Sequence, residues 1–144
     1  MFQGISKFTS LCVWAAVLRA IIDGWTTHSR MQRRSRCLFG CGCGQDSIQH
    51  YAFCSVLADL ARRKLGLEIP EPRTRLDEFL MLEPRFTVDQ SSWFARCALL
   101  IYATFKATNA ARDGQGMDTS DAWQQAFKEG AASRRDLGFL IGHA

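Results

Sequence analysis

No apolar run in this 144-residue chain approaches the roughly 20 residues that a membrane-spanning helix needs. The best candidate for a targeting segment, Leu11–Leu18, is short, is interrupted by Arg19 and is followed by no clean A-x-A cleavage site. A secretory signal and a membrane partner are therefore not expected, and a reducing intracellular compartment, nucleus or cytoplasm, fits best. Strand-like alternation of apolar and polar residues is absent, as are internal repeats and low-complexity tracts, so the expected fold is all-α. Also missing are a nucleophile–base pair, a P-loop and paired catalytic carboxylates. The acids between Glu68 and Asp89 alternate with Arg73, Arg75 and Arg85 and read as solvated. No catalytic residue is expected, and the chain is not read as an enzyme.

What is present is an ordinary globular balance, 47% apolar and 22% charged, enough for one small domain with appended helices. The net charge of +4 is unevenly spread. Between Arg19 and Lys64 eight basic residues stand against three acids, whereas beyond that point acids slightly outnumber bases. The positive field is thus focused on one segment, where it would attract an anionic partner.

That segment contains Cys37, Cys41, His50 and Cys54 at C-x3-C-x8-H-x3-C spacing. Three thiols and an imidazole on a short stretch of chain match the tetrahedral preference of Zn²⁺. Gly40, Gly42 and Gly44 let the backbone curl beneath the metal at positions that can need positive φ. On one helical turn, His50 and Cys54 would share a face, and Asp46 with Gln49 resembles a capping box that would start that turn. Four ligands leave no open position for a reacting water, which makes the expected site structural. Six cysteines could also form a disulfide scaffold. Cys12 and Cys97, however, lie within apolar helical patterns, and the other four crowd around a histidine at ligand spacing. Cys43 is read as a spare thiol or as a group supporting the ligands.

A helix is expected where Phe8, Leu11, Cys12, Ala15, Leu18, Ile22 and Trp25 recur at three- and four-residue intervals, stopping at Asp23-Gly24. After Cys54, the residues Val56, Leu57, Leu60, Ala61 and Leu65 continue a helical stripe to Gly66. Pro70 and Pro72 break the chain, and 75–82 reads as a short helix. The longest helix is expected over 90–112 on a face of Trp93, Cys97, Leu100, Ile101, Thr104, Phe105 and Thr108. Asp118 and Asp121 announce another helix before Ala122–Phe127. The organisation read from this is a helix, basic arm and CCHC zinc knuckle over 1–66, a Pro-containing linker over 67–89 and a helical tail over 90–144. With prolines between them, knuckle and tail are expected to fold apart.

Arg30, Arg33, Arg34 and Arg36 place four guanidiniums just before the first ligand. Such an arm can track phosphates, because the arginine fork matches phosphate oxygens; it can also be a solvated loop. Arg62, Arg63 and Lys64 at a helix end are explained by the helix dipole. Trp14, Trp93 and Trp123 sit on apolar faces, leaving Trp25, beside the basic arm, as the candidate base-stacking residue. His28 is a surface residue or a phosphate contact.

The run Asp23-Gly24-Trp25-Thr26-Thr27-His28-Ser29-Arg30-Met31, the Cys37-x3-Cys41 pair and Gln45–Tyr51 with Cys54 together resemble the C-terminal region of non-LTR (LINE-type) retrotransposon reverse transcriptases. The resemblance extends to the helical stretch Leu99–Arg112 and spans about residues 20 to 135. It implies a zinc knuckle on Cys37, Cys41, His50 and Cys54 that holds element RNA or target DNA, with a polymerase region upstream in the parent protein. No polymerase or endonuclease motif occurs in this chain, Cys43 departs from the pattern, and a starting methionine on such a tail fits a truncated or remnant reading frame. The functional expectation is a non-enzymatic, zinc-binding module gripping nucleic acid through phosphates. The alternatives are a zinc-stabilised structural or protein-interaction module, or a remnant without function.

Overall fold

The computed structural model describes residues 10–22, 24, 25, 27, 31, 32, 34–67 and 90–132, and for 90–94 the backbone only. The expected 67–89 linker beyond Leu67, with its prolines and expected short helix, the tail beyond 132, and Arg30, Arg33 and His28 lie outside the described residues. Those residues form five α-helices and no strand, as the absence of alternation led one to expect. In chain order they are α1 (Leu11–Ile21), α2 (Ile48–Tyr51), α3 (Ser55–Leu60), α4 (Gln90–Arg112) and α5 (Thr119–Ala132); α3 runs on into a π-helical turn, Ala61–Leu65.

The long helix α4 is the centre of the molecule, packed against α5, α1 and the π turn. From Cys97 to Thr104 every side chain is buried, so this stretch behaves as a core helix with apolar contacts on all sides. Two buried threonines interrupt its apolar character and satisfy themselves locally. The Thr104 hydroxyl donates to the Leu100 carbonyl and accepts from the Trp123 indole N–H of α5, while Thr108 donates back to the Thr104 carbonyl. On α5, Gly130 permits close approach: a Cβ there would meet Leu99 and Tyr102 side-chain atoms at 3.0 Å. The carboxylate of Asp118 caps α5, accepting from the Ser120 and Asp121 backbone N–H groups.

Helix α1 buries Val13, Ala16, Val17 and Ala20. The stripe singled out by periodicity faces the other way, with Leu11, Leu18 and Ile22 exposed. Both faces are apolar, and the one with smaller side chains lies inward. The π turn ends at Gly66, whose φ of 60° is the left-handed geometry that favours glycine. Arg96 of α4 reaches across to donate to the last carbonyl of that turn, Leu65.

The knuckle does not stand apart from the C-terminal helices. One apolar core includes Cys37, Phe39, Tyr51 and Cys54 of the knuckle together with Trp25 and the buried faces of α1, α4 and α5. Prolines between two segments in the sequence do not prevent the segments from packing together.

Candidate metal centre

Residues 35–46 fold back on themselves as a short hairpin. The Asp46 N–H donates to the Ser35 carbonyl and the Cys37 N–H to the Gly44 carbonyl, on either side of an antiparallel bridge between Arg36 and Gln45. Gly40 and Gly42, at φ of 69° and 74°, make the bends at its tip. Gly44 has a different reason to be glycine: a Cβ there would lie 2.0 Å from Nδ1 of His50. The imidazole occupies the space that a side chain at 44 would fill.

The second half of the site departs from the expected geometry in two places. Ser47, not Asp46, is the N-cap of α2, its hydroxyl accepting from the His50 N–H. Asp46 is freed for another role, described below. His50 and Cys54 also do not share a helical turn. Helix α2 stops after Tyr51, and Cys54 is an extended residue (φ −67°, ψ 122°) that caps α3. This reversal, rather than i,i+4 stacking on one helix, brings Cys54 alongside Cys37.

Four donor atoms converge as a result. The thiols of Cys37, Cys41 and Cys54 and the His50 ring nitrogen all lie within 4.8 Å of one another. Cys37 and Cys54 Sγ atoms are 3.8 Å apart, and Cys41 Sγ is 3.2 Å from His50 Nε2. A tetrahedron with metal–sulfur bonds of about 2.3 Å has sulfur–sulfur edges of about 3.8 Å, so the first pair is already at that spacing. A disulfide would need about 2 Å between sulfurs, and all six cysteines are free. Cys37 and Cys54 are buried while Cys41 and His50 are half-buried, a shallow site with a dry floor.

Electrostatics favour a bound cation. The hydrogen bond from Cys54 holds the Cys37 thiol down to about 4, although burial opposes that shift. Cys54 is correspondingly pushed up, by sharing that hydrogen bond and by burial, and burial raises Cys41. Without a cation the cluster therefore carries one thiolate readily and resists the next. A divalent metal removes the obstacle, because metal binding displaces the thiol protons. The backbone N–H of Cys43 points at Cys41 Sγ (3.4 Å) and would support a thiolate there. The Cys43 thiol itself is exposed and directed at the Cys41 carbonyl, outside the donor set.

Beneath the site, Tyr51 is a hub. Its ring packs edge-on to Phe39 and tilted against His50 and Trp25, and Trp25 packs in turn on Phe105 of α4. The Tyr51 hydroxyl donates to Asp46, whose carboxylate is fully buried and also receives a two-pronged contact from Arg112 at the end of α4, at 2.9 and 2.6 Å. Nothing local in the sequence signals this triad, because Arg112 lies 66 residues from Asp46.

The residues expected to meet nucleic acid fare unequally. Arg34 and Arg36 are exposed. Trp25 is no stacking platform: it is 0% exposed, and its indole N–H donates to the Ala16 carbonyl. Its place is in the core between α1, Tyr51 and Phe105. No described helix is long and apolar enough to cross a membrane. The resemblance to retrotransposon tails rests on the quoted motifs alone, since comparison with known proteins returns no matching family model, no similar curated protein and no similar solved structure.

Proposed function

We propose that this chain is a zinc-stabilised helical module that presents surfaces to other macromolecules and performs no chemistry of its own. The observation carrying this reading is the convergence of Cys37, Cys41, His50 and Cys54 within 4.8 Å, where a hairpin cinched by backbone hydrogen bonds meets α2 and the start of α3. Zinc is the metal of choice for three thiolates and an imidazole in tetrahedral array. With all four positions taken by protein, the ion has no vacancy for water or substrate, so its contribution is to fold and not to reaction. Metal analysis of the purified protein should return one zinc per chain. Cys41→Ser or His50→Ala should abolish it, while Cys43→Ser should keep it. A metal-free wild-type protein, or equal damage from Cys43→Ser, would sink the assignment.

A second reading, phosphate-directed binding of RNA or DNA as the resemblance implies, is favoured by one specific observation. Arg34 and Arg36 are exposed just before the first proposed ligand, Arg36 on the hairpin that zinc would rigidify and Arg34 leading into it. Arg62 and Arg63 add charge nearby in sequence but share Asp59 as a counter-ion, at 2.6 and 2.5 Å. If single strands bind, log affinity against log salt should fall by about 0.7 per phosphate contact, and Arg34→Ala with Arg36→Ala should flatten that slope by about 1.4. An absence of binding to RNA and DNA at low salt leaves the protein-interaction role alone.

A further inference from the structure

Cys43 lies between the ligand positions of the metal centre, yet the donor set leaves it out, and its thiol is exposed. It is not turned away from the cluster. Its thiol donates to the Cys41 carbonyl at 3.1 Å and its backbone N–H to Cys41 Sγ at 3.4 Å, so the two residues fold onto each other across Gly42. Two peptide units reach at most about 7 Å when extended, and Gly42, at φ 74°, bends this pair. That brings the two Cα atoms into the range of about 4.4–6.8 Å that a disulfide accepts. Cys41 is also the thiol best placed to leave the cluster. Cys37 and Cys54 are buried with their sulfurs 3.8 Å apart, whereas Cys41 is half-buried. Glycines flank it on both sides, and a Cβ on Gly40 or Gly42 would have nothing within 4 Å. Turning Cys41 toward Cys43 therefore meets open space on either side of it.

We propose that Cys41 and Cys43 form a peroxide-sensitive thiol pair, which opens the metal centre by closing a disulfide. The exposed thiol of Cys43 meets the oxidant first. Its sulfur attacks one oxygen of hydrogen peroxide, the O–O bond breaks, the thiol proton leaves with the departing oxygen as water, and Cys43 is left as a sulfenic acid. Cys41 Sγ, a thiolate in the metal-bound cluster, then attacks the Cys43 sulfur. The S–S bond forms, the S–O bond breaks, and the departing hydroxide takes a proton from solvent to become water. The two sulfurs have together given up two electrons, and one peroxide has become two waters. Cys37, His50 and Cys54 remain as donors, one fewer than the centre needs to hold its metal closed. A thiol reductant restores Cys41 by exchange through the exposed Cys43 sulfur. Cys12, also exposed, has Ser10 Oγ beside its sulfur at 2.9 Å and lies outside the donor set, so its oxidation leaves the centre intact.

The metal in question is the zinc of the proposed function, and this inference rests on that reading. Zinc content is therefore measured first, on the untreated chain. A chain purified without zinc sinks the module reading and the switch with it; every later outcome bears on the switch alone. The zinc-loaded full chain is treated with hydrogen peroxide in the presence of a chromogenic chelator. The wild-type protein should lose its zinc and, freed of peroxide and given a thiol reductant and zinc, take it up again. Under the same treatment Cys43→Ser and Cys43→Ala should keep their zinc, whereas Cys12→Ser should lose it as the wild type does. Free thiols are then alkylated and the chain is cut with chymotrypsin, which separates residues 40–51 from Cys37 and Cys54. The 40–51 peptide from oxidised wild type should be lighter by two hydrogens and resist alkylation. Equal zinc loss by wild type and both Cys43 variants would overturn the proposal. So would a disulfide mapped to Cys37 and Cys54, a 40–51 peptide that alkylates fully after oxidation, or zinc loss that reductant does not reverse. Failure of an alkylating agent to reach Cys43 in the folded, zinc-loaded chain would overturn it as well, by showing that other parts of the chain shield the thiol.

Discussion

Gly44 illustrates how much of the site is decided by single side chains. Its neighbours Gly40 and Gly42 have open space around them and serve the turn through positive φ. Gly44 serves it by absence, since any Cβ would displace the His50 ring. Gly44→Ala should therefore weaken zinc binding by about 10- to 100-fold, the range seen when groups supporting metal ligands are disturbed; competition with a chromogenic chelator measures it. Gly42→Ala should cost stability through strain but leave the histidine in place. Trp25 is the opposite case, a residue whose reading changed with its surroundings. Being fully buried against Tyr51 and Phe105, it should on replacement by alanine cost about 3–5 kcal/mol in urea unfolding. The four converging donors were legible because their spacing is local and chemically distinctive. The aromatic packing was not, because Phe105 lies 80 residues from Trp25.

At the scale of elements, α4 and α5 begin and end close to where their caps and glycines suggested, with Asp118 starting α5 and Gly114 at φ 68° after α4. Helix α1 was found by its period but turned the wrong way. Leu11, Leu18 and Ile22 are larger side chains than Val13, Ala16, Val17 and Ala20, and packing against α4 takes the smaller set. Periodicity detects a stripe; it does not say which of two stripes meets a neighbour. The hairpin and α4 are joined by the buried Asp46–Arg112 pair. Removing one partner leaves the other charged and dry, so Asp46→Asn and Arg112→Met should each destabilise by about 3–5 kcal/mol. The double variant should lose less than the sum of the two single changes. Chemical denaturation of all four proteins closes that cycle.

For the whole molecule, the shared core makes metal and fold a single question. Binding free energy of zinc to small knuckles is on the order of 10 kcal/mol, comparable with the entire stability of a typical domain. Because Tyr51 and Cys54 pack in the same core as α4, chelation should melt the knuckle and loosen α4 with it. Circular dichroism and tryptophan emission should report one coincident transition, with a lower midpoint when zinc is removed. Loss of order confined to 37–54, with α4 untouched, would restore the picture of two halves that the prolines suggested. Asp46 carries a final consequence. Its backbone closes the hairpin and its side chain answers to both Tyr51 and Arg112. A substitution there must satisfy a near neighbour, Tyr51, and the far end of α4 at once. In any lineage of related chains, positions 46, 51 and 112 should therefore drift together or not at all.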